Sequence, residues 1–118
     1  MNITRTIQRH EDPKWVASFF DRSLEGEKAG WFPLPQVPRK AKAGDWVYVI
    51  YRGRIYGRLQ ITEVRRVNRA DPVGSRGTQR VQARCRLYVR CPGQLAPKKI
   101  ERRGHQGIRY DDVPEWGR

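Results

Sequence analysis

Of the chain's 25 basic residues, nineteen are arginine, and their placement is the first chemical signal. Arg80, Gln82, Arg84, Arg86, Tyr88 and Arg90 alternate with Val81, Ala83, Cys85, Leu87 and Val89. Strict alternation over such a run predicts a strand with one buried face. Its other face is then a ladder of guanidinium groups, which pair bidentately with phosphate and stack on bases. Like charges at this density repel one another, so an anionic partner relieves a real cost.

The rest of the charge distribution points the same way. Net charge is +13 over 118 residues, and it is localised. Residues 1–38 balance to zero, residues 39–110 carry a net +15, and residues 111–118 carry −2 as an acidic C-terminal tail. A confined basic excess is the electrostatic footprint expected of a nucleic-acid binder. Arg58, Arg80, Arg84, Arg86, Arg90, Lys98 and Lys99 are the expected phosphate contacts. Trp31, Phe32, Trp46, Tyr48 and Tyr56 are the aromatics available to stack a base.

The element that must position them is a hairpin. Trp46 to Tyr51 is aromatic and β-branched, and suits a pleated, half-buried surface. Arg52-Gly53-Arg54 reads as the turn. Ile55, Gly57, Leu59 and Ile61 then point one way, and Tyr56, Arg58, Gln60 and Thr62 the other. The parity slips after Ile61, because Val64 is even and Arg65 odd, so a bulge near Thr62–Glu63 is expected.

Before the hairpin, residues 2–9 suggest a short strand. Asp12 caps a helix with Pro13 in its first turn, and Trp15, Val16, Phe19, Phe20 and Leu24 form its apolar stripe up to Gly26. The uncharged stretch Gly30–Pro38 holds three prolines and reads as an ordered loop, packed on the core or walling a pocket. After the hairpin come a turn-rich loop over Asn68–Gln79, the arginine strand, and a turn at Cys91-Pro92-Gly93-Gln94. A basic stretch follows, with a short helix expected after Pro97. A last strand is expected within Gly104–Tyr110, and Trp116 is expected to pin the tail to the body.

Some function classes are disfavoured. There is no Ser-His-Asp set, zinc spacing or phosphate-binding loop, so neither metal nor cofactor is expected. Cys85 and Cys91, six residues apart on one strand, stand about 20 Å from each other and cannot bridge. No apolar run is long enough for a membrane span and no signal-peptide core is present, so a cytoplasmic protein is expected.

The segment Ala43-Gly44-Asp45-Trp46-Val47-Tyr48-Val49-Ile50-Tyr51, with Gly53, Gly57 and the following run to Glu63-Val64, resembles the PUA-like superfamily, which includes the PUA, ASCH, EVE and YTH domains. The resemblance covers residues 39–67 well and the rest by architecture. It implies one α+β domain over residues 1–118: a small, strongly bent β-barrel with one or two flanking helices. It also implies nucleic-acid binding, with RNA expected over DNA, and in some branches a modified base held in an aromatic pocket.

The ASCH branch includes small amidohydrolases and nucleases expected to use a Lys, a Thr and a Glu. Gly26-Glu27-Lys28 is similar to that branch's Gly-x-Lys segment, but Ala29, Gly30 and Trp31 stand where the Thr is expected. Lys28 and Glu63 are therefore weak catalytic candidates, and a structural ion pair is the more frequent role for such a Glu. Three functions are thus in view: a nucleic-acid-binding module, an ASCH-type enzyme acting on RNA or a modified nucleoside, and a small protein-interaction factor of phage or mobile-element type.

Overall fold

The computed structural model, which describes residues 1–67 and 84–117, sets the central hairpin inside a seven-stranded sheet. In chain order the elements are β1 (Ile3–Ile7), α1 (Pro13–Ser18), β2 (Gly26–Leu34), β3 (Trp46–Tyr51), β4 (Arg54–Arg66), β5 (Cys85–Cys91), β6 (Gln94–Leu95) and β7 (Ile108–Tyr110), closed by a 3-10 turn at Pro114–Gly117. The strands lie in the order β2-β5-β4-β3-β1-β7, with β6 beside β4. The pairing of β1 with β3 is parallel, and the other pairings are antiparallel.

The β3–β4 turn is tight because Arg52 and Gly53 both have positive φ, at 54° and 83°. That is the twist a two-residue hairpin demands. Two irregularities shape β4. One lies between Ile61 and Glu63 opposite β5, where the sequence placed a bulge. The other, between the pairs Val49↔Gly57 and Ile50↔Ile55, leaves Tyr56 as an extra residue. The second bulge overturns the simple alternation expected from Ile55 onward. Ile55 joins a cluster with Tyr48, Ile50, Ile100 and Val113, whereas Leu59 and Ile61 enter the main core. Tyr56 turns inward against Phe20 and Tyr51, not onto the cationic face.

Both faces of β3 are consequently covered. Val47, Val49 and Tyr51 face the main core, and Trp46, Tyr48 and Ile50 face the C-terminal segment. The main core lies inside the bend of the sheet. The Arg5 guanidinium, on β1, sits 4.8 Å over the ring of Phe32, on β2, although those strands stand four places apart in the order. A flat sheet would separate them by roughly 19 Å. Burial draws Arg5 down to about 10, with Glu11 opposing the shift.

The ends of the sheet do not pair, so this is a small, mostly-β domain with an open sheet and not a closed barrel. Closure needs the first and last strands to pair along a tilted, staggered register. Here β7 has three residues, and β2 carries Pro33, which an edge strand tolerates.

Three expected elements differ. Gly30–Leu34 is the second half of β2, not a loop, because its prolines fall at an edge or beyond it. The helix stops at Ser18: Asp21 Oδ1 accepts from the Ser23 N–H at 2.9 Å, and Arg22 takes φ 71°, which turns the chain away. The expected cap is present, with Asp12 Oδ1 accepting from Lys14 N–H at 2.8 Å. No helix follows Pro97; the Ile55 N–H donates to the Ile100 carbonyl and holds that stretch extended beside β4. The loop at Asn68–Gln79 and the first residues of the arginine strand, Arg80 included, lie outside the described residues. Among the described residues, no helix is long and apolar enough to cross a membrane.

Candidate nucleic-acid interface

The outer face of β2, β5 and β4 carries a set of cations paired with aromatic rings. On β5, Cys85, Leu87, Val89 and Cys91 are buried, as the alternation requires, and Arg86, Tyr88 and Arg90 face outward. Trp31 pairs with Tyr88 in the β2–β5 ladder, and the Arg86 guanidinium lies 4.6 Å over the Trp31 ring. From the other side, Arg65 of β4 lies 5.0 Å over the Tyr88 ring, and Lys28 reaches the same ring at 5.9 Å.

Two backbone irregularities make this arrangement. The bulge at Thr62 returns Glu63 and Arg65 to the outer side already occupied by Arg58 and Gln60. The register shift between Gly26 and Gly30 puts extra chain opposite β5, and Lys28 lies in it. Gly30 must be a glycine there: a Cβ would stand 2.8 Å from the Phe19 ring and 3.0 Å from Cys91 Sγ.

Glu63 organises the cations. It accepts from Lys28 Nζ at 2.5 Å and from Arg65 Nε at 2.6 Å. The Lys28 hydrogen bond first, and that of Arg65 second, hold its carboxyl below the usual range. Arg90 pairs at 3.1 Å with Glu27. Arg84 is exposed at the end of β5, its backbone bonded to Leu34 and Val67. All these ion pairs are exposed and contribute little stability, so a polyanion can exchange with the carboxylates.

The remaining expected residues are elsewhere. Phe32 is fully buried, stacked on Phe19 at 5.1 Å, and cannot meet a base. Tyr48 is also buried; it packs on Trp116 at 5.5 Å. Trp46 and Arg58 form a second cluster. The Arg58 guanidinium lies 4.0 Å from the Trp46 ring and 4.6 Å from that of Trp116. It also donates to Gln94 Oε1 at 2.8 Å. Held by both indoles and by Gln94, Arg58 is a joint between the sheet and the tail and not a ready phosphate contact.

Trp31 packs with Arg86 and Trp46 with Arg58 and Trp116, in two separate clusters on strands three places apart. The expected aromatics therefore do not gather into one pocket. Lys98 and Lys99 lie beyond β6, lining a groove with Arg54 and Tyr56.

The tail itself is clamped. Arg102 bonds Asp111 at 3.0 Å and grips Glu115 with both terminal nitrogens, and Glu115 and then Asp111 raise it above its ordinary value.

Arg65 and Tyr88 stand outside the expected contacts, although Tyr88 lies on the expected outward face of the arginine strand. Carrying the parity through the expected bulge would have placed Arg65 beside Arg58's row. No pattern in the sequence pairs Trp116 with Arg58. Comparison of the chain with protein-family models, curated proteins and solved structures found no match.

Proposed function

We propose that this chain is a nucleic-acid-binding module that takes a single-stranded RNA across the outer face of β2, β5 and β4. One observation carries it: three cations rest on two outward aromatic rings of that face, Arg86 on Trp31, and Arg65 and Lys28 on Tyr88. Splayed single-stranded bases stack on such rings, and the adjoining cations meet the phosphates between them. The PUA-like resemblance belongs to the same proposal, as an opened version of that bent sheet. Base contact here is stacking on a half-buried, outward-facing ring, not enclosure in a cage.

The contact between Lys28 and Glu63 keeps an ASCH-type enzyme in view, since thirty-five residues of chain separate two groups held at 2.5 Å. Its chemistry is less well supported. A general base works best with a pKa near the working pH, and two cations hold Glu63 firmly ionised.

The test is equilibrium binding of a short fluorescein-labelled single-stranded RNA, with DNA of the same sequence in parallel. RNA binding weakened by Arg65→Ala with Arg86→Ala is the expected result. Absence of binding at low salt contradicts the proposal. Cleavage of the RNA that is lost in Lys28→Ala would favour the enzyme instead.

A further inference from the structure

A separate part of the basic surface has the shape of a small-ligand site. Arg54 and Tyr56 at the start of β4, Leu95 and Ala96, and the Lys98-Lys99 pair line an open groove of about 260 Å3. Its floor is apolar: Leu95 is 58% exposed, one of the few large apolar side chains so placed among the described residues. Its rim carries three cations. Among the described residues, no ion pair holds the Arg54 side chain. Among the described residues, Lys99 pairs with Glu101 in an exposed contact at 3.5 Å, which a stronger anion displaces easily.

The groove is built into the backbone. Gly57 pairs with Leu95, the Ala96 N–H donates to the Tyr56 carbonyl at 3.0 Å, and the Ile55 N–H donates to the Ile100 carbonyl at 2.8 Å. The chain between Leu95 and Ile100 is thus tied to β4 at both ends, which fixes where the lysines start. Gly57 permits this approach, because a Cβ there would stand 2.5 Å from the Gln94 carbonyl oxygen. Phe20 and Tyr51 hold the Tyr56 ring from behind.

From this geometry we infer that the groove binds one nucleotide, its phosphate among Arg54, Lys98 and Lys99 and its base laid on the exposed Leu95. Charge complementarity selects an anion, and the exposed apolar floor selects one with a flat hydrophobic body. The volume lies just below the ~300 Å3 lower bound of ordinary ligand pockets, which suits a single nucleotide. As a subsite for a longer strand, the groove rests on the RNA-binding proposal above; as a mononucleotide site, it does not.

Uridine monophosphate is titrated into isotope-labelled protein while the backbone amides of Tyr56, Leu95 and Ala96 are followed, with inorganic phosphate and uridine as separate arms. Labelled oligouridylate binding is measured alongside. Saturable shifts at those amides with uridine monophosphate are expected. Lys98→Ala with Lys99→Ala should weaken the nucleotide by about fivefold or more, as loss of two phosphate contacts implies. Leu95→Ser should weaken the nucleotide and leave inorganic phosphate unchanged. All three substitutions are at exposed positions, so folding is retained.

Phosphate bound as tightly as the nucleotide would mark a bare anion site and overturn the inference, as would the absence of shifts at low salt. Oligouridylate bound equally by wild type and the double lysine variant overturns the subsite alone. Nucleotide held in the groove without any oligouridylate binding supports the site and refutes the RNA-binding proposal.

Discussion

The Arg86 guanidinium lies 4.6 Å over the Trp31 indole, on paired antiparallel strands. This makes Trp31 the one tryptophan of the described residues whose cation partner lies in the β5 ladder. Arg58, by contrast, lies over two indoles, those of Trp46 and Trp116. Trp31→Ala should therefore weaken RNA binding about tenfold, within the ~1–3 kcal/mol of a stacked base, and Trp31→Phe should restore most of it. Fluorescence anisotropy measures both.

Phe32, its neighbour in sequence, should behave in the opposite way. It is fully buried between Phe19 and Arg5. Phe32→Ala should cost about 3–5 kcal/mol of stability, the range for a buried aromatic truncated to alanine. Urea unfolding of the two variants separates the roles: Trp31→Ala should shift the midpoint little, and Phe32→Ala strongly.

That contrast shows what was legible in the chain. Alternation correctly separated Cys85, Leu87 and Val89 from Arg86 and Tyr88, because one buried face is a strong constraint. It also located the bulge at Thr62, where parity changed visibly. It failed at Tyr56, where the bulge moves an aromatic inward without breaking the visible pattern from Ile55 to Ile61. It could not distinguish Trp31 from Phe32, because three prolines mark the stretch as a loop; in an edge strand, neighbouring residues must face opposite ways. The Trp46–Arg58–Trp116 cluster depends on the path of the tail, which no local pattern encodes.

Gly57 is a glycine because β6 and Phe20 crowd it. A Cβ would stand 2.5 Å from both the Gln94 carbonyl oxygen and Phe20 Cε1. A backbone carbonyl cannot yield as a flexible side chain does. Gly57→Ala should lose about 1–3 kcal/mol, the usual cost of overpacking. Gly53→Ala should be penalised by its φ of 83° alone, with nothing within 4 Å to clash. Thermal unfolding of the pair tests the distinction.

Cys85 and Cys91 are buried free thiols, each pushed by burial from 9.0 up to about 11. Between those values the unfolded chain has lost the thiol protons and the folded chain keeps them. Their contribution is thus fully present below pH 9 and declines as pH rises through about 11. Stability measured by urea unfolding should fall across that window, and replacing both cysteines by alanine should remove part of the slope. Thiol reagents should label neither residue rapidly in the native protein; fast labelling at neutral pH would contradict their burial.

The central claim is that Arg65, Arg86 and Lys28 meet phosphates, and ionic strength tests it most directly. The logarithm of RNA affinity should fall linearly with the logarithm of salt concentration, by about 0.7 per phosphate contact on a single strand. Replacing Arg65 and Arg86 together by alanine should flatten that slope by about one unit or more. A slope near zero from low to moderate salt, or one unchanged by the double substitution, would contradict the account.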